Sequence, residues 1–134
     1  MKVSFDFDDT LSKPKVQEYA KELIERGVEV YIVTARYSNK TMEWMFPNVV
    51  TFFNSDLYLV ADTLKIHSDN IIFMDMVPKN EYLKTTNILW HLDDCGEELV
   101  HIRTEKQCKT LPINVLSASW KTKCERILRN YECK

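Results

Sequence analysis

Lys2-Val3-Ser4-Phe5-Asp6-Phe7-Asp8-Asp9-Thr10-Leu11 is the stretch that decides the fold. A β-rich apolar run breaks into Asp6, Asp8 and Asp9, then passes through Thr10 to Leu11. A strand over residues 2–5 leaves Asp6 and Asp8 at its carboxyl end. Alternation along extended chain then points both side chains to the same side. Gathering that much like charge in a small protein is costly unless a cation or another partner neutralises it. A solvated acidic turn closing a strand would use the same residue types, so the rest of the chain has to decide between the two.

The remainder is ordinary for a globular chain. At 134 residues it has the length of one domain, 1–134, with enough chain for a single packed core. Hydrophobic residues make up 45% and charged residues 28%, and two glycines with four prolines exclude low-complexity or linker character. A net charge of −2 gives no broad electrostatic footprint for nucleic acid. There is no apolar run of membrane-spanning length and no signal-peptide pattern, so a cytoplasmic protein with no membrane partner is expected. Cys95, Cys108, Cys124 and Cys133 form no C-x-x-C pair, which argues against a zinc site and for reduced thiols.

Working outward from the acidic stretch, Ser12 is expected to cap a first helix, with Pro14 in its first turn and Val16, Ala20, Leu23 and Ile24 on its apolar stripe. Gly27 supplies the left-handed stop. Val28-Glu29-Val30-Tyr31-Ile32-Val33 is an inner strand ending at Thr34-Ala35-Arg36. Residues 37–53 combine the breakers Asn39, Pro47 and Asn48 with many large apolar residues; a short helix over 40–46 and an extended piece over 49–53 are expected. Asn54 or Ser55 caps the next helix, whose stripe is Leu57, Val60, Ala61 and Leu64. Ile71-Ile72-Phe73-Met74 is a strand, Pro78-Lys79 opens a short helix to about residue 85, and Ile88-Leu89-Trp90-His91-Leu92 is an inner strand running into Asp93-Asp94. Residues 97–103 read as a helix, although Val100 and Ile102 would also suit a strand. A last strand over 112–116 precedes a helix capped by Ser119, with Trp120, Cys124, Ile127, Leu128 and Tyr131 as its buried stripe. Strands alternating with helices predict a three-layer α/β/α, Rossmann-like, mainly parallel sheet, with chemistry beyond the carboxyl ends of the strands.

Those carboxyl ends carry a pattern. The first strand ends in Asp6, Asp8 and Asp9, the second in Thr34 and the late strand in Asp93 and Asp94, while Lys79 follows the third. Convergent carboxylates there suit a Mg²⁺-assisted displacement at phosphorus, one attacking and the other shuttling the proton. The order D-x-D-x-T-L, strand-Thr, Lys, strand-Asp-Asp, running from Val3 to Asp94, resembles the haloacid dehalogenase superfamily of phosphohydrolases. The resemblance implies that Asp6 is the nucleophile and that Asp8 protonates the leaving alcohol and then activates water. It implies a Mg²⁺ ion held by the Asp6 carboxylate, the Asp8 main-chain carbonyl and Asp93, with Asp94 in support. Thr34 would donate to the phosphoryl oxygens, and Lys79 would neutralise charge and keep Asp6 ionised. Lys84, deeper in the same helix, is the rival for the lysine role. Asp8 favours a phosphatase over the dehalogenase relatives, which lack an acid there, and over the ATPase relatives, which have threonine.

Many such relatives carry a cap domain. Here the interval between Thr10 and Thr34 is consumed by a helix and a strand, so no full cap fits. The surplus at 37–53 is enough for a flap that borders the phosphate pocket or meets a second subunit, or else packs over a sheet edge. Capless relatives often take large substrates, nucleic-acid ends among them, which the near-neutral charge does not favour; the phosphorylated substrate stays open. Lys121, Lys123, Arg126 and Arg129 are read as a solvated helix face, and His67, His91 and His101 as non-catalytic. Three other readings compete: a receiver domain, whose acceptor Asp would have to precede the Thr on a third strand; a non-catalytic binding protein of the same fold; and a phosphotransferase delivering to an alcohol.

Overall fold

Why the strands end where they do follows from their pairing. In a computed structural model describing residues 1–49 and 52–133, β1 (Lys2–Phe5) lies between β2 (Glu29–Thr34) and β4 (Trp90–Asp93), with β3 (Ile71–Phe73) and β5 (Leu111–Asn114) at the edges. The order is β3-β2-β1-β4-β5 and every pairing is parallel. The chain builds outward from β1 through β2 to β3, then crosses back to β4 on the other flank. That reversal opens a crevice beyond the carboxyl ends of β1 and β4. Phe5 pairs with Ile32 on one side and Leu92 on the other, and the Asp6 amide extends the ladder to the Leu92 carbonyl at 2.8 Å. The acidic stretch is therefore pinned at the sheet centre.

Helices cover both faces: α1 (Pro14–Glu25), α2 (Asn39–Met45), α3 (Ser55–Leu64), α4 (Asn80–Leu83), α5 (Gly96–Thr104) and α6 (Trp120–Glu132). The larger core gathers Val3, Phe5, Val30, Ile32, Trp90 and Leu92 from the sheet against residues of α1, α3 and α6. Trp90 anchors it, meeting Phe5 edge-on at 5.3 Å and stacking on Tyr19 at 6.3 Å. The opposite face has a smaller apolar cluster of Val33, Leu83, Ile88 and Ile102. Alternation explains the difference, because Ser4, His91 and Asp93 spend that second face on polar groups.

Helix ends depart from the expected caps. Lys13, not Ser12, precedes α1, and the Ser12 hydroxyl instead accepts the Asp9 amide at 3.0 Å, bracing the acidic loop. Asn54 and Ser119 precede α3 and α6 without capping through their side chains. Gly27 fulfils its role at φ +85°: the Val28 amide reaches Leu23 O at 2.9 Å and the Gly27 amide reaches Ile24 O at 3.0 Å. Gly27→Ala, with no neighbour for the new methyl to strike, is expected to cost about 1 kcal/mol through backbone strain alone, visible as a lowered urea midpoint.

Several boundaries shift. The last strand spans Leu111–Asn114 rather than 112–116, with Pro112 on an edge strand, where a missing N–H costs little. Residues 96–104 are helical, so Val100 and Ile102 do not form a strand. Tyr131 is half exposed rather than part of the α6 stripe, which buries Cys124 and Leu128. The short helix of the surplus segment is present as α2 but buries none of its residues. The expected extended piece over 49–53 falls partly outside the described residues, and Phe52 and Phe53 within it are not in a strand. Trp44 is 80% exposed and Phe52 86%, so these rings do not pack over a sheet edge. All four cysteines are free. Among the described residues, no helix is long and apolar enough to cross a membrane.

Candidate active site

The crevice is lined from four elements. Asp6 leaves β1 and enters a tight loop over Phe7–Leu11, closed by the Leu11 amide on Asp6 O at 3.1 Å and the Ser12 amide on Phe7 O at 2.9 Å. Asp9 takes a left-handed conformation there, φ 58°, which Asp tolerates better than most residues. Thr10 is buried, its hydroxyl 3.4 Å from Asp6 Oδ2.

Lys79, which immediately precedes α4, is 2% exposed and places its ammonium between two carboxylates. Nζ donates to Asp6 Oδ1 at 2.8 Å and to Asp93 Oδ2 at 2.6 Å. Lys84 instead pairs with Glu81 at 2.9 Å. Asp6, Asp93 and Asp94 each offer a carboxylate oxygen, all within 4.8 Å of one another. An all-oxygen, anionic donor set of this kind matches a hard cation such as Mg²⁺. The Asp8 side chain stands outside this cluster.

Charge is distributed unequally. Burial pushes the Asp6 carboxyl up to about 8, with Lys79 opposing and the Asp93 charge adding to the rise. Burial also works against the charge of Asp93, yet His91 and Lys79 hold its carboxyl well below the ordinary range. Asp93 thus keeps its charge and Asp6 bears the cost of sharing one ammonium. Burial opposes the Lys79 charge too, but the facing carboxylates raise its ammonium above the usual value.

His91 and Ser4, not counted among the site residues from sequence, complete the network. His91 is wholly buried, with Nε2 2.8 Å from Asp93 Oδ2 and Nδ1 2.8 Å from Ser4 Oγ. Burial depresses its pKa, so the ring is neutral. An ionised Asp93 can only accept, so Nε2 donates and Nδ1 accepts the Ser4 hydroxyl. The readable signal was register: His91 lies opposite Ser4 and two positions before Asp93 on one strand face.

Thr34 is buried at the end of β2, its Oγ accepting the Arg36 amide at 3.2 Å. The Arg36 side chain is the larger finding. Its guanidinium clamps Asp8 at 2.9 and 2.7 Å and Asp56 at 2.8 and 2.9 Å, and lies over the Phe7 ring at 5.0 Å. Both Asp8 oxygens are therefore engaged. Hydrogen bonds from Arg36 lower the Asp56 carboxyl to about 2. The sign follows from linkage: its contribution is full above the ordinary 3.8 and is lost as pH falls through about 2. Because the Asp56 side chain is 62% exposed, the advantage of wild type over Asp56→Asn is expected to stay below about 1 kcal/mol and to vanish in acid denaturation series near the lower value.

Comparison of the chain with protein-family models, with curated proteins and with solved structures gives no match.

Proposed function

We propose that the chain is a Mg²⁺-dependent phosphomonoester hydrolase of the haloacid dehalogenase type, working in a reducing compartment such as the cytoplasm. The observation that carries this is the buried Asp6–Lys79–Asp93 bridge, with Asp94 adjoining, at the carboxyl ends of the central strands. Structural ion pairs rarely bury two carboxylates on one ammonium at a topological crevice, because desolvation outweighs the attraction.

In this reading an Asp6 carboxylate oxygen attacks phosphorus and the ester oxygen departs, leaving an aspartyl-phosphate. Asp8 gives its proton to the departing oxygen, then takes one from the water that attacks phosphorus and frees Asp6 and phosphate. Lys79 and the Thr34 hydroxyl stabilise negative charge on the transferring group. Mg²⁺ held by Asp6, Asp93 and Asp94 would cancel repulsion between the anionic nucleophile and phosphate. His91 keeps Asp93 charged and oriented.

One observation favours a binding role without catalysis: Arg36 occupies both Asp8 oxygens, so Asp8 can act only after exchanging that partner. The assay separates the readings. Hydrolysis of an aryl phosphate is expected with Mg²⁺ and absent with chelator, and acid-quenched enzyme should carry hydroxylamine-labile phosphate on the peptide containing Asp6. Folded, Mg²⁺-binding protein with neither turnover nor labelled Asp6 would leave the binding role.

A further inference from the structure

Arg36, Tyr37, Met42, Phe53 and Asn54 line an open cavity of about 290 Å³. We propose that this cavity is the leaving-group pocket and that it receives a planar aromatic ring, an inference that rests on Asp6 as the phosphoryl acceptor.

Position is the first argument. Arg36 donates to Asp8 through Nε and Nη2 and is also one of the residues lining the cavity. The cavity therefore adjoins the residue that holds the group that would protonate the departing oxygen. A ring joined to that oxygen, directly or through a sugar, would lie there.

Lining chemistry is the second. Tyr37 and Phe53 offer ring faces, Met42 a polarisable thioether, and Arg36 a planar cation, all of them partners for an aromatic π-system. The one amide in the lining is already committed: Asn54 Nδ2 donates to Tyr37 O at 3.0 Å and Asn39 Oδ1 at 2.8 Å, and its Oδ1 accepts from Arg36 at 3.4 Å. A polyhydroxylated alcohol would find little there to replace its water. The volume lies at the small end for ligand sites, which suits one ring system rather than an extended molecule.

The pocket wall is also held in place. Asp75 accepts the Ser38 amide at 2.9 Å and the Thr41 hydroxyl at 3.2 Å, while Asn54 ties the start of α3 to the start of α2. A wall fixed at both ends is preorganised for binding.

The test compares kcat/KM for an aryl phosphate, a nucleoside 5′-monophosphate and glycerol 3-phosphate. An aromatic ester is expected to exceed the glycerol ester by about tenfold or more, and Met42→Trp, which fills the cavity, to bring that ratio towards one. Equal rates for all three esters in wild type, or a ratio that Met42→Trp leaves intact, would overturn the pocket while leaving the hydrolase standing. A second arm needs no turnover and no variant: the Met42 methyl resonance is followed while phosphate-free nucleoside or phenol is added. A saturable shift supports the pocket, and the tighter ligand tells nucleotide from simple aryl ester. No shift with either overturns it. Absence of turnover on every ester would sink the hydrolase reading alone, and the methyl shift would then decide whether the cavity is an aromatic site.

Discussion

Lys79→Met is expected to be the most destabilising single substitution in the crevice, costing about 3–5 kcal/mol above about pH 8, where Asp6 as well as Asp93 is ionised. Methionine keeps most of the aliphatic stem that lies buried beneath the ammonium, so the loss is of charge rather than of packing. Without the ammonium, the Asp6 and Asp93 carboxylates that now share it face each other with the Thr10 hydroxyl, the neutral His91 and the Cys95 amide for support. Two signatures separate this from a packing defect. The deficit should shrink as pH falls, because protonating one carboxyl removes the repulsion. The double variant Asp6→Asn/Lys79→Met should recover much of the loss, since it deletes one of the opposed charges, giving a coupling of roughly 2 kcal/mol in a denaturation cycle. Additive losses, or a single-variant cost under about 1 kcal/mol, would mean that Lys79 is not what neutralises the pair.

What could be read beforehand was whatever strand periodicity and chain punctuation encode. The run into Asp6 and the run into Asp93 end where parallel pairing ends, so their carboxylates meet. Gly27 stops α1 because only a residue comfortable at positive φ fits there. Polar residues near helix starts misled for a physical reason: Ser12 and Asn54 had other partners, Ser12 accepting the Asp9 amide and Asn54 donating to Tyr37 and Asn39 while accepting from Arg36. No spacing rule reports such competition. Arg36 followed Thr34 at a strand end in plain view. Its clamp joins Asp8 from the first loop to Asp56 of α3, a pairing of residues distant in sequence that local pattern does not carry. The surplus at 37–53 was legible as surplus, but its exposed rings and the cavity beside Arg36 depend on how α2 is hung from Asp75.

Asp6→Asn is expected to make the metal-free protein more stable while removing the proposed phosphatase activity. Asparagine retains an oxygen to accept from Lys79 but carries no charge to desolvate. In wild type the folded state holds the Asp6 proton up to about 8, whereas an unfolded carboxyl releases it near 3.8. Between those values the folded state binds more protons, so wild-type stability falls as pH rises through that window. The variant pays no such penalty. Its advantage should be absent in acid, grow through neutrality and level off above about 8 in metal-free denaturation. Turnover should meanwhile drop by roughly four orders of magnitude or more, as it does when a nucleophile is deleted. Mg²⁺ should narrow the gap, because it favours the ionised carboxylate and binds the folded wild type, adding about 2.7 kcal/mol at a hundredfold excess over Kd. A variant less stable than wild type without metal at pH 8 would show that Asp6 carries its charge at no cost, and the account of a strained nucleophile awaiting a cation would fall. The trade is what catalysis predicts: a carboxylate comfortable in the resting protein would have little reason to attack phosphorus.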